Sequence, residues 1–444
     1  MRSLLIQNAL LVTNDGERAV FRGDVRVEGN RIAGVAKKLK KKTGERTVDL
    51  SGQLLIPGFI QTHTHLCQAL FRNLADDLQL LDWLKNRIWP FEAAHTPKSL
   101  YASARLGIAE LLLGGTTTIL DMGTVHHTGK IFAAAKELGL RAFIGKCLMD
   151  RPENPAGLRE NTADALRENL DLAERWHGAA GDRLRYAHAP RFVLSCTEQL
   201  LEAIRDVARE KGHLIHTHAS ENREEIEMVR KLYGCENVEY LDRIGLTGEN
   251  LVLAHCIWIN KKERGMLART GTRVAHCPSS NLKLASGIAD VPELREAGVC
   301  VSLGADGAPC NNNLNMFQEM RTASLIQKPA HGPEAMAAQE VFEMATLEGA
   351  RALGILGDVG SIEVGKKADL VAVDLRRAAS LTDLDPQRPE AIYSALVYSA
   401  SPANVTHSWV DGKCLVRAGM LLTGKIDEIL AAALKEQRAL LKRI

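Results

Sequence analysis

The sequence lacks several features that would each place a protein in a particular class. No apolar run reaches the roughly 18 residues that a membrane span needs, so we expect no membrane partner. The first twenty residues, MRSLLIQNALLVTNDGERAV, alternate apolar with polar residues and contain no small-residue cleavage site, which argues against a signal peptide. Low-complexity segments and glycine-rich phosphate loops are also missing.

Charge and cysteine usage narrow the class further. Lys and Arg together number 56 against 54 for Asp and Glu, a formal net charge of +2, and no basic stripe is interleaved with aromatics. We therefore expect a small-molecule partner and no nucleic acid. The nine cysteines form no CxxC pair, which favours free thiols in a reducing compartment. These features predict a soluble cytoplasmic protein, and we also expect a homodimer or a higher homo-oligomer.

Turn and strand patterns divide the 444 residues into two units. Short strands broken by Asn-Asp-Gly, Glu-Gly-Asn and Ser-Gly turns fill the beginning of the chain, and similar segments return after Gly360. The two ends therefore predict one small composite β domain, residues 1–56 and 362–444, which closes with a helix in KIDEILAAALKEQRALLKRI. Residues 57–361 form the second predicted unit.

The middle of the chain alternates apolar strands with amphipathic helices. Eight candidate strands occur in this order: LLIPGFI, TTTILDMG, RAFIGKCLMD, LRYAHAP, HLIHTHASE, NLVLAHCIW, TRVAHCP and VCVSLGADG. Eight strands that are each followed by a helix predict an α/β fold, the (β/α)₈ TIM-like barrel, whose chemistry takes place at the carboxyl ends of the strands.

Polar side chains recur at those strand ends. They are His63 and His65 after the first strand, His188 after the fourth, His216 and His218 at the fifth, His255 at the sixth, His276 at the seventh and Asp306 at the eighth. Imidazoles and a carboxylate at one end of an apolar barrel are costly unless they converge on a ligand. The pattern predicts one divalent metal per chain, zinc first and iron second.

Spacing favours some ligands over others. His63, His65 and Asp306 are the strongest candidates, whereas HTHASE leaves His216 and His218 equally possible as the remaining ligand. Glu221 follows three residues after His218, where its carboxylate could exchange a proton with a bound substrate. A simpler interpretation makes Glu221 an acidic residue at a helix N-terminus.

Six motifs together resemble the amidohydrolase superfamily, in the branch of guanine deaminase, the methylthioadenosine/S-adenosylhomocysteine deaminases and the triazine hydrolases. They are PGFIQTHTH, GGTTTILDM, HTHASENREE, LAHCIW, AHCPSSNLKLASG and LGADGAPCNNN, and the resemblance extends over essentially the whole chain. It implies a β-sandwich-like domain built from the two chain ends and a metal-dependent hydrolase barrel over residues 57–361. The implied enzyme hydrolyses non-peptide carbon–nitrogen bonds and uses a single metal. The implied metal ligands are His63, His65, His218 and Asp306.

The same resemblance implies the catalytic roles. Asp306 takes the proton of the attacking water, His255 orients that water, and Glu221 protonates the ring nitrogen next to the carbon that carries the amine. The implied reaction is hydrolytic deamination with release of ammonia.

The substrate is less closely defined. RAFIGKCLMD, PRFVLSCTEQL and HASENREEIEMVRKLY look like guanine deaminase, whereas LADDLQLLDWL, NLKLASGIADV and GADGAPCNNNLNMFQEMRTASLIQK look like the methylthioadenosine/S-adenosylhomocysteine enzymes. We expect guanine or a related oxo-aminopurine, with an adenosine-type nucleoside as the first alternative and a triazine or pterin as the second. A non-catalytic small-molecule-binding barrel is an alternative of another class. The predicted substrate-binding residues are Gln68, Trp83, Glu92, His188, Arg191 and Phe192.

Overall fold

The N-terminal strands form half of a sheet that the other end of the chain completes. A computed structural model describes residues 3–444. The first strands are β1 (Ser3–Val12), β2 (Val20–Glu28), β3 (Arg31–Ala36), β4 (Arg46–Asp49) and β5 (Leu54–Pro57). β2 and β3 form a hairpin with a two-residue loop, in which Gly29 has a φ of 64°. Such tight loops require positive φ, which glycine adopts without steric cost.

The middle of the chain forms a second, parallel sheet. Its strands are β6 (Phe59–His65), β7 (Thr116–Met122), β8 (Arg141–Gly145), β9 (Cys147–Leu148), β10 (Leu184–Pro190), β11 (Leu214–Ala219), β12 (Leu251–His255), β13 (Arg273–His276), β14 (Val301–Leu303) and β15 (Asp306–Gly307). They lie in the order β14-β13-β12-β11-β10-β8-β7-β6-β15, and the short β9 also pairs with β10. Nearly every residue of these strands is buried, as expected for a parallel sheet covered on both faces.

The eighth strand closes this sheet into a barrel. β14 pairs with β13, and two residues later β15 pairs with β6, where Asp306 lies opposite Thr64. The segment from β14 to β15 therefore joins the last strand to the first. This topology confirms the predicted (β/α)₈ TIM-like barrel.

Helices cover the outside of the barrel, and many carry clear end signals. The helix Glu198–Lys211 starts at the N-cap Thr197, whose hydroxyl accepts a hydrogen bond from the Leu200 amide, and ends at Gly212 with a φ of 67°. The helices of six residues or more are Pro97–Leu113, Gly129–Leu138, Thr162–Trp176, Glu198–Lys211, Arg223–Tyr233, Asn237–Arg243, Lys261–Thr270, Pro278–Lys283, Val291–Glu296, Met316–Leu325, Ala338–Met344, Leu347–Ala352, Pro389–Ser394 and Ile426–Leu441. Within residues 3–444, none combines the length and apolar character needed to cross a bilayer.

The C-terminal strands return to the first sheet. They are β16 (Leu370–Val373), β17 (Val405–Val410), β18 (Lys413–Arg417) and β19 (Met420–Leu421), and β5 lies between β1 and β16. The two chain ends thus build one nine-stranded sheet, as predicted. The domain boundaries at 56/57 and 361/362 stay a prediction.

Apolar side chains fill the amino end of the barrel. Seven strands contribute one residue each, and the segment around the helix Leu347–Ala352 packs beneath them; together they are Ile60, Leu120, Phe143, Ala187, Leu214, Val252, Ala275, Ala350, Leu353, Ile355 and Val359. Because this end is packed and apolar, the polar strand-end residues are left to the opposite, carboxyl end.

Candidate active site

The two histidines of the first barrel strand point into the carboxyl end of the barrel. His63 and His65 are two residues apart in β6, so both side chains leave the strand on the same side. His65 donates through Nδ1 to the carbonyl oxygen of Met122 at 2.9 Å, and Nδ1 of His63 lies 2.7 Å from Nε2 of His216. These contacts leave Nε2 of both His63 and His65 to face the barrel axis.

The second histidine pair, His216 and His218, lies at the end of β11, and its two members make different contacts. His218 donates through Nδ1 to the carbonyl oxygen of Arg191 at 2.7 Å, and its Nε2 lies 3.3 Å from Nε2 of His65. His216 donates through Nδ1 to a carbonyl oxygen of β12 at 3.0 Å, so its Nε2 accepts the proton of His63. The structure therefore brings His218 into the cluster and places His216 behind His63 as its support.

Asp306 completes the cluster from the eighth strand. Its Oδ1 lies 3.2 Å from Nε2 of His63 and 3.4 Å from Nε2 of His65, and its Oδ2 accepts a hydrogen bond from Ser280 at 2.6 Å. Gly304 allows this approach, because a Cβ at that position would lie 2.8 Å from the backbone nitrogen of His63. Glycine thus lets the last strand lie directly against the metal-binding strand.

The geometry of this cluster fits a divalent metal ion. Tetrahedral ligands at about 2.05 Å from zinc lie roughly 3.3 Å from one another. Three pairs of ligand atoms in the cluster, His63–Asp306, His65–Asp306 and His65–His218, are 3.2–3.4 Å apart. Nε2 of His63 is buried and has no hydrogen-bond partner among the described residues, as expected for a ligand atom. Burial and the neighbouring His63 lower the pKa of His65 to about 3, so its imidazole is neutral and available for coordination.

Two further groups of the cluster face each other across the cavity. Nε2 of His255 lies 3.5 Å from a carboxylate oxygen of Glu221 and 4.0 Å from Oδ2 of Asp306. His255 donates through Nδ1 to the side-chain oxygen of Asn281 at 2.8 Å, so its buried Nε2 is the acceptor. Burial, reinforced by the nearby carboxylates of Asp306 and Glu225, raises the pKa of Glu221 well above its usual range. A protonated Glu221 can act as a general acid near neutral pH.

Backbone strain is concentrated at these strand ends. Ser220, His255 and Asp306 have φ values of 54°, 74° and 63°, in the left-handed region that residues other than glycine seldom adopt. His255 ends β12, Ser220 follows the last residue of β11, and Asp306 begins β15, so all three lie at the carboxyl end of the barrel. Strained residues at a ligand site indicate that the surrounding structure fixes their positions.

A buried charge pair forms one side of the cavity beside the cluster. Arg191 contacts Glu92 through Nη1 at 2.6 Å, and the side-chain amide of Gln68 donates to the same carboxylate at 2.8 Å. Oε1 of Gln68 and Nε1 of Trp83 are buried and have no partner among the described residues. The residues that line the cavity are His65, Gln68, Leu80, Trp83, Leu84, Arg191, Phe192, His218, Glu221, Glu225, His255 and Asp306. Glu92 lies behind this lining and holds Arg191 and Gln68.

Two predicted pocket residues lie outside the cavity lining: Glu92, which holds Arg191 and Gln68 from behind, and His188. His188 lies apart from the cavity. Its Nδ1 lies 2.9 Å from the side-chain nitrogen of Asn169, and its Nε2 lies 3.2 Å from Nδ1 of His213. Side chains alternate along β10, and Ala187 belongs to the apolar group inside the barrel, so His188 faces the surrounding helices. This position corrects its assignment to the substrate pocket.

Three supporting residues were missed by the sequence reasoning. Ser280 and Asn281 lie on one short helix, Pro278–Lys283, and hold Asp306 and His255 respectively. Their position directly after β13, at the same end of the barrel as the ligands, was an available signal. His216 was recognised only as an alternative ligand, and its support of His63 carries no sequence signal.

Comparisons with known proteins agree with this geometry. The model of the amidohydrolase family matches residues 54–415. The chain is 43% identical to a 5'-deoxyadenosine deaminase of Methanothermobacter thermautotrophicus over 420 residues, which cover 94% of each chain. It is 37% identical to a 5-methylthioadenosine/S-adenosylhomocysteine deaminase of Pelotomaculum thermopropionicum, with full coverage of both chains.

Solved structures of deaminases are also similar to this chain. An adenosine deaminase from Xanthomonas campestris with bound zinc superposes with a TM-score of 0.91 at 32% identity and covers 99% of each chain. The guanine deaminase of E. coli superposes with a TM-score of 0.83 at 26% identity, covering 94% of this chain and all of that one.

Proposed function

The chain belongs to the amidohydrolase family and is a hydrolytic deaminase, and from this premise we propose that its substrate is an adenosine-type nucleoside with a small, uncharged 5′ substituent. The observation that carries the proposal is the buried pair of Arg191 and Glu92 beside the predicted metal ligands. In this proposal the 6-amino group leaves as ammonia and an inosine-type product remains.

The roles of the catalytic residues follow from their positions. His63, His65, His218 and Asp306 would hold a divalent ion, which when bound would lower the pKa of a water molecule from about 15.7 towards 7 and so would supply a nucleophile at neutral pH. Asp306 accepts a proton from the attacking water, and Nε2 of His255 accepts a hydrogen bond that keeps the water in line. Glu221 donates its proton to the adjacent ring nitrogen as the water adds to the carbon that carries the amine. Asp306 then passes the proton that it accepted to the amine, the carbon–nitrogen bond breaks and ammonia leaves. The hydroxyl proton returns to Glu221 as the carbonyl of the product forms.

We assign zinc as the metal, with iron as the alternative. Three neutral imidazoles and one carboxylate form a donor set that suits zinc, and the similar adenosine deaminase from Xanthomonas campestris contains zinc. Metal content of the purified protein distinguishes the two ions.

The charge pair supports an adenosine-type substrate over guanine. The guanine hypothesis needs the Arg191 guanidinium to donate to the 6-oxo group of the purine. In the structure both terminal nitrogens of Arg191 face Glu92, at 2.6 Å and 3.4 Å. Releasing them would leave a carboxylate unpaired in a buried site, which costs several kcal/mol. The curated relatives that act on adenosine-type substrates are also more similar to this chain than is the guanine deaminase of E. coli.

The same pair argues for an uncharged 5′ group. Among the described residues that line the cavity, Arg191 is the one Arg or Lys, and Glu92 already neutralises it. The carboxylate of an S-adenosylhomocysteine tail would therefore find no free cation, and Glu221 and Glu225 lie in the same cavity. The apolar side chains of Leu80, Leu84 and Phe192 suit a methyl or methylthio group instead.

Ammonia release from a purine panel tests the proposal. We expect kcat/KM for 5'-deoxyadenosine and 5'-methylthioadenosine to exceed that for S-adenosylhomocysteine by roughly tenfold or more, because an unpaired buried carboxylate costs at least 1.4 kcal/mol. Guanine should be the poorest substrate of the panel. Glu221→Gln, with its metal content checked, is the control that assigns any ammonia to this site.

Other outcomes of the panel identify the alternatives. Fast turnover of guanine with slow turnover of all nucleosides would contradict the substrate proposal while leaving the deaminase chemistry intact. Activity only on a triazine or a pterin would support that alternative, and a metal-loaded protein inert towards every compound would support a binding barrel.

A further inference from the structure

Exposed apolar side chains are concentrated at the C-terminal end of the chain. Within residues 3–444, fifteen large apolar side chains are exposed, and seven of them lie in the last 25 residues: Met420, Leu422, Ile426, Leu430, Leu434, Leu441 and Ile444. Apolar surface gathered in one place on a folded protein marks an interaction site.

Four of these residues form one stripe along the final helix. Ile426, Leu430, Leu434 and Leu441 follow helical spacing on Ile426–Leu441, and we call them the terminal stripe. Their exposed fractions run from 37% to 54%, so water covers a substantial part of each side chain. The stripe is available to a partner.

The helix that carries the stripe is fixed to the barrel by the side next to the stripe. Ile429, Ala433 and Leu440 are buried in the apolar clusters, and Gln437 donates to the carbonyl oxygen of Leu70 at 2.7 Å. The stripe therefore belongs to a docked helix. A docked helix presents its side chains at fixed positions, so a partner that binds there does not first have to order it.

We propose that the terminal stripe joins two copies of this chain through antiparallel pairing of their final helices. Charge favours a second copy. The first turn carries Asp427 and Glu428, whereas Lys435, Arg438 and Lys442 border a groove in the second half of the helix. A two-fold axis across the helix sets the acidic end of one copy against the basic end of the other.

The charged side chains of the final helix are mostly free of ion pairs within one chain, so they can pair with a second copy. Across residues 3–444, neither Asp427 nor the three cations of the groove has an ion-pair partner, and Glu428 contacts only Lys425, which is itself largely exposed. Small residues at Ala431 and Ala439 shape the groove, so a leucine of the partner can enter it. An anionic membrane surface fits less well, because it would repel the acidic first turn.

Pairing at this helix would also support the substrate cavity. The hydrogen bond from Gln437 reaches Leu70 in the 3-10 segment Leu66–Phe71, which contains Gln68. Arg443 donates to the carbonyl oxygen of Ala94, two residues after Glu92. The final helix thus contacts both segments that carry the polar residues around Arg191. The pairing itself does not depend on which substrate is correct.

Light scattering of the full-length, metal-loaded protein tests the proposal. We expect a mass of at least twice the 48.6 kDa of one chain. Leu430→Lys with Leu434→Lys should weaken self-association by roughly a hundredfold or more, because each pair of helices would lose four buried leucine anchors. The matched control is Met228→Lys with Leu232→Lys, a pair with the same spacing that is 45% and 51% exposed on the helix Arg223–Tyr233 and should leave the mass unchanged.

Mixing two charge variants gives the sharper test. One carries Asp427→Lys and Glu428→Lys, and the other carries Lys435→Glu, Arg438→Glu and Lys442→Glu. Each should fail to pair with itself because like charges meet, and the two together should form a mixed dimer. A monomeric parent protein, a leucine variant that still pairs, or a parent that is monomeric but sediments with anionic vesicles would each overturn the proposal.

Discussion

Breaking the buried pair of Arg191 and Glu92 should cost both stability and activity. The two side chains are 4% and 1% exposed and lie 2.6 Å apart, so replacing one leaves the other charge buried without its counter-ion. Such losses are about 3–5 kcal/mol, a large part of the roughly 5–15 kcal/mol that stabilises a typical domain. We expect Arg191→Met and Glu92→Gln each to lower the free energy of unfolding by that amount, measured in the first urea transition of the metal-loaded protein.

A double variant measures how strongly the two charges of the pair depend on each other. With both charges removed, neither is left uncompensated, so Arg191→Met with Glu92→Gln should be more stable than the sum of the two single losses predicts. The loss in kcat/KM on 5'-methylthioadenosine should persist, because the packing around Gln68 is no longer held by Glu92.

A second buried pair supplies the control. Arg141 and Asp369 are 5% and 1% exposed and lie 2.7 Å apart, but Arg141 begins β8 at the opposite end of the barrel. Arg141→Met should therefore lose comparable stability while keeping the ratio of kcat/KM between substrates. A loss of less than about 1 kcal/mol in Glu92→Gln would contradict the role of Glu92 as the counter-ion of Arg191. Loss of guanine turnover alone in Arg191→Met, with nucleoside turnover spared, would contradict the adenosine-type substrate.

Three further predictions concern the metal, the positioning residues and acid stability. Removal of the metal by a chelator should abolish turnover and about one equivalent of zinc should restore it; full activity in metal-free protein would contradict the mechanism. Asn281→Ala should lower kcat by roughly 10- to 100-fold with little change in KM, because His255 loses the acceptor of its Nδ1 proton; an unchanged kcat would remove Asn281 from its positioning role. Burial and the neighbouring His177 lower the pKa of His213 to about 4. Between pH 6.5 and 4 the unfolded chain therefore binds a proton at this histidine that the folded chain does not bind, so the free energy of unfolding should fall as the pH drops through that range. His213→Gln should flatten this part of the curve of stability against pH, and an unchanged curve would contradict the assigned role of His213.

The barrel could be predicted from sequence because each strand is a short apolar run with a turn signal after it. The cluster of candidate metal ligands could be predicted because polar residues at strand ends are conspicuous against those runs. His63 and His65 needed only the two-residue period of a strand, and Asp306 only its position at the end of the eighth strand.

The remaining features depend on contacts that the one-dimensional pattern does not contain. His216 and His218 are two residues apart in β11, so both side chains leave the strand on the same side, and the sequence pattern does not show which of them lies nearer the carboxyl end of the barrel. His188 was misplaced because a strand end alone does not fix which side of the sheet a residue faces. Arg191 and Glu92 are 99 positions apart, so their pairing emerges only once β10 and the segment before the helix Pro97–Leu113 are folded together.

The barrel sequence lies between the two chain segments that form the terminal sheet, and this order has a consequence for synthesis in the cell. β5 pairs with β16, where Pro57 lies opposite Leu370, a separation of 370 − 57 = 313 residues. At about 5–20 residues per second, the ribosome needs roughly 15–60 s to supply that partner. During this interval the apolar edge of Leu54, Leu55 and Ile56 has no neighbour on one side and can recruit other nascent chains. We expect stalled chains that end before Leu370 to sediment as aggregates or to be held by chaperones, and chains that extend past β19 to remain dispersed. Yield of the protein would then depend on translation speed and chaperone supply as much as on the stability of the finished fold.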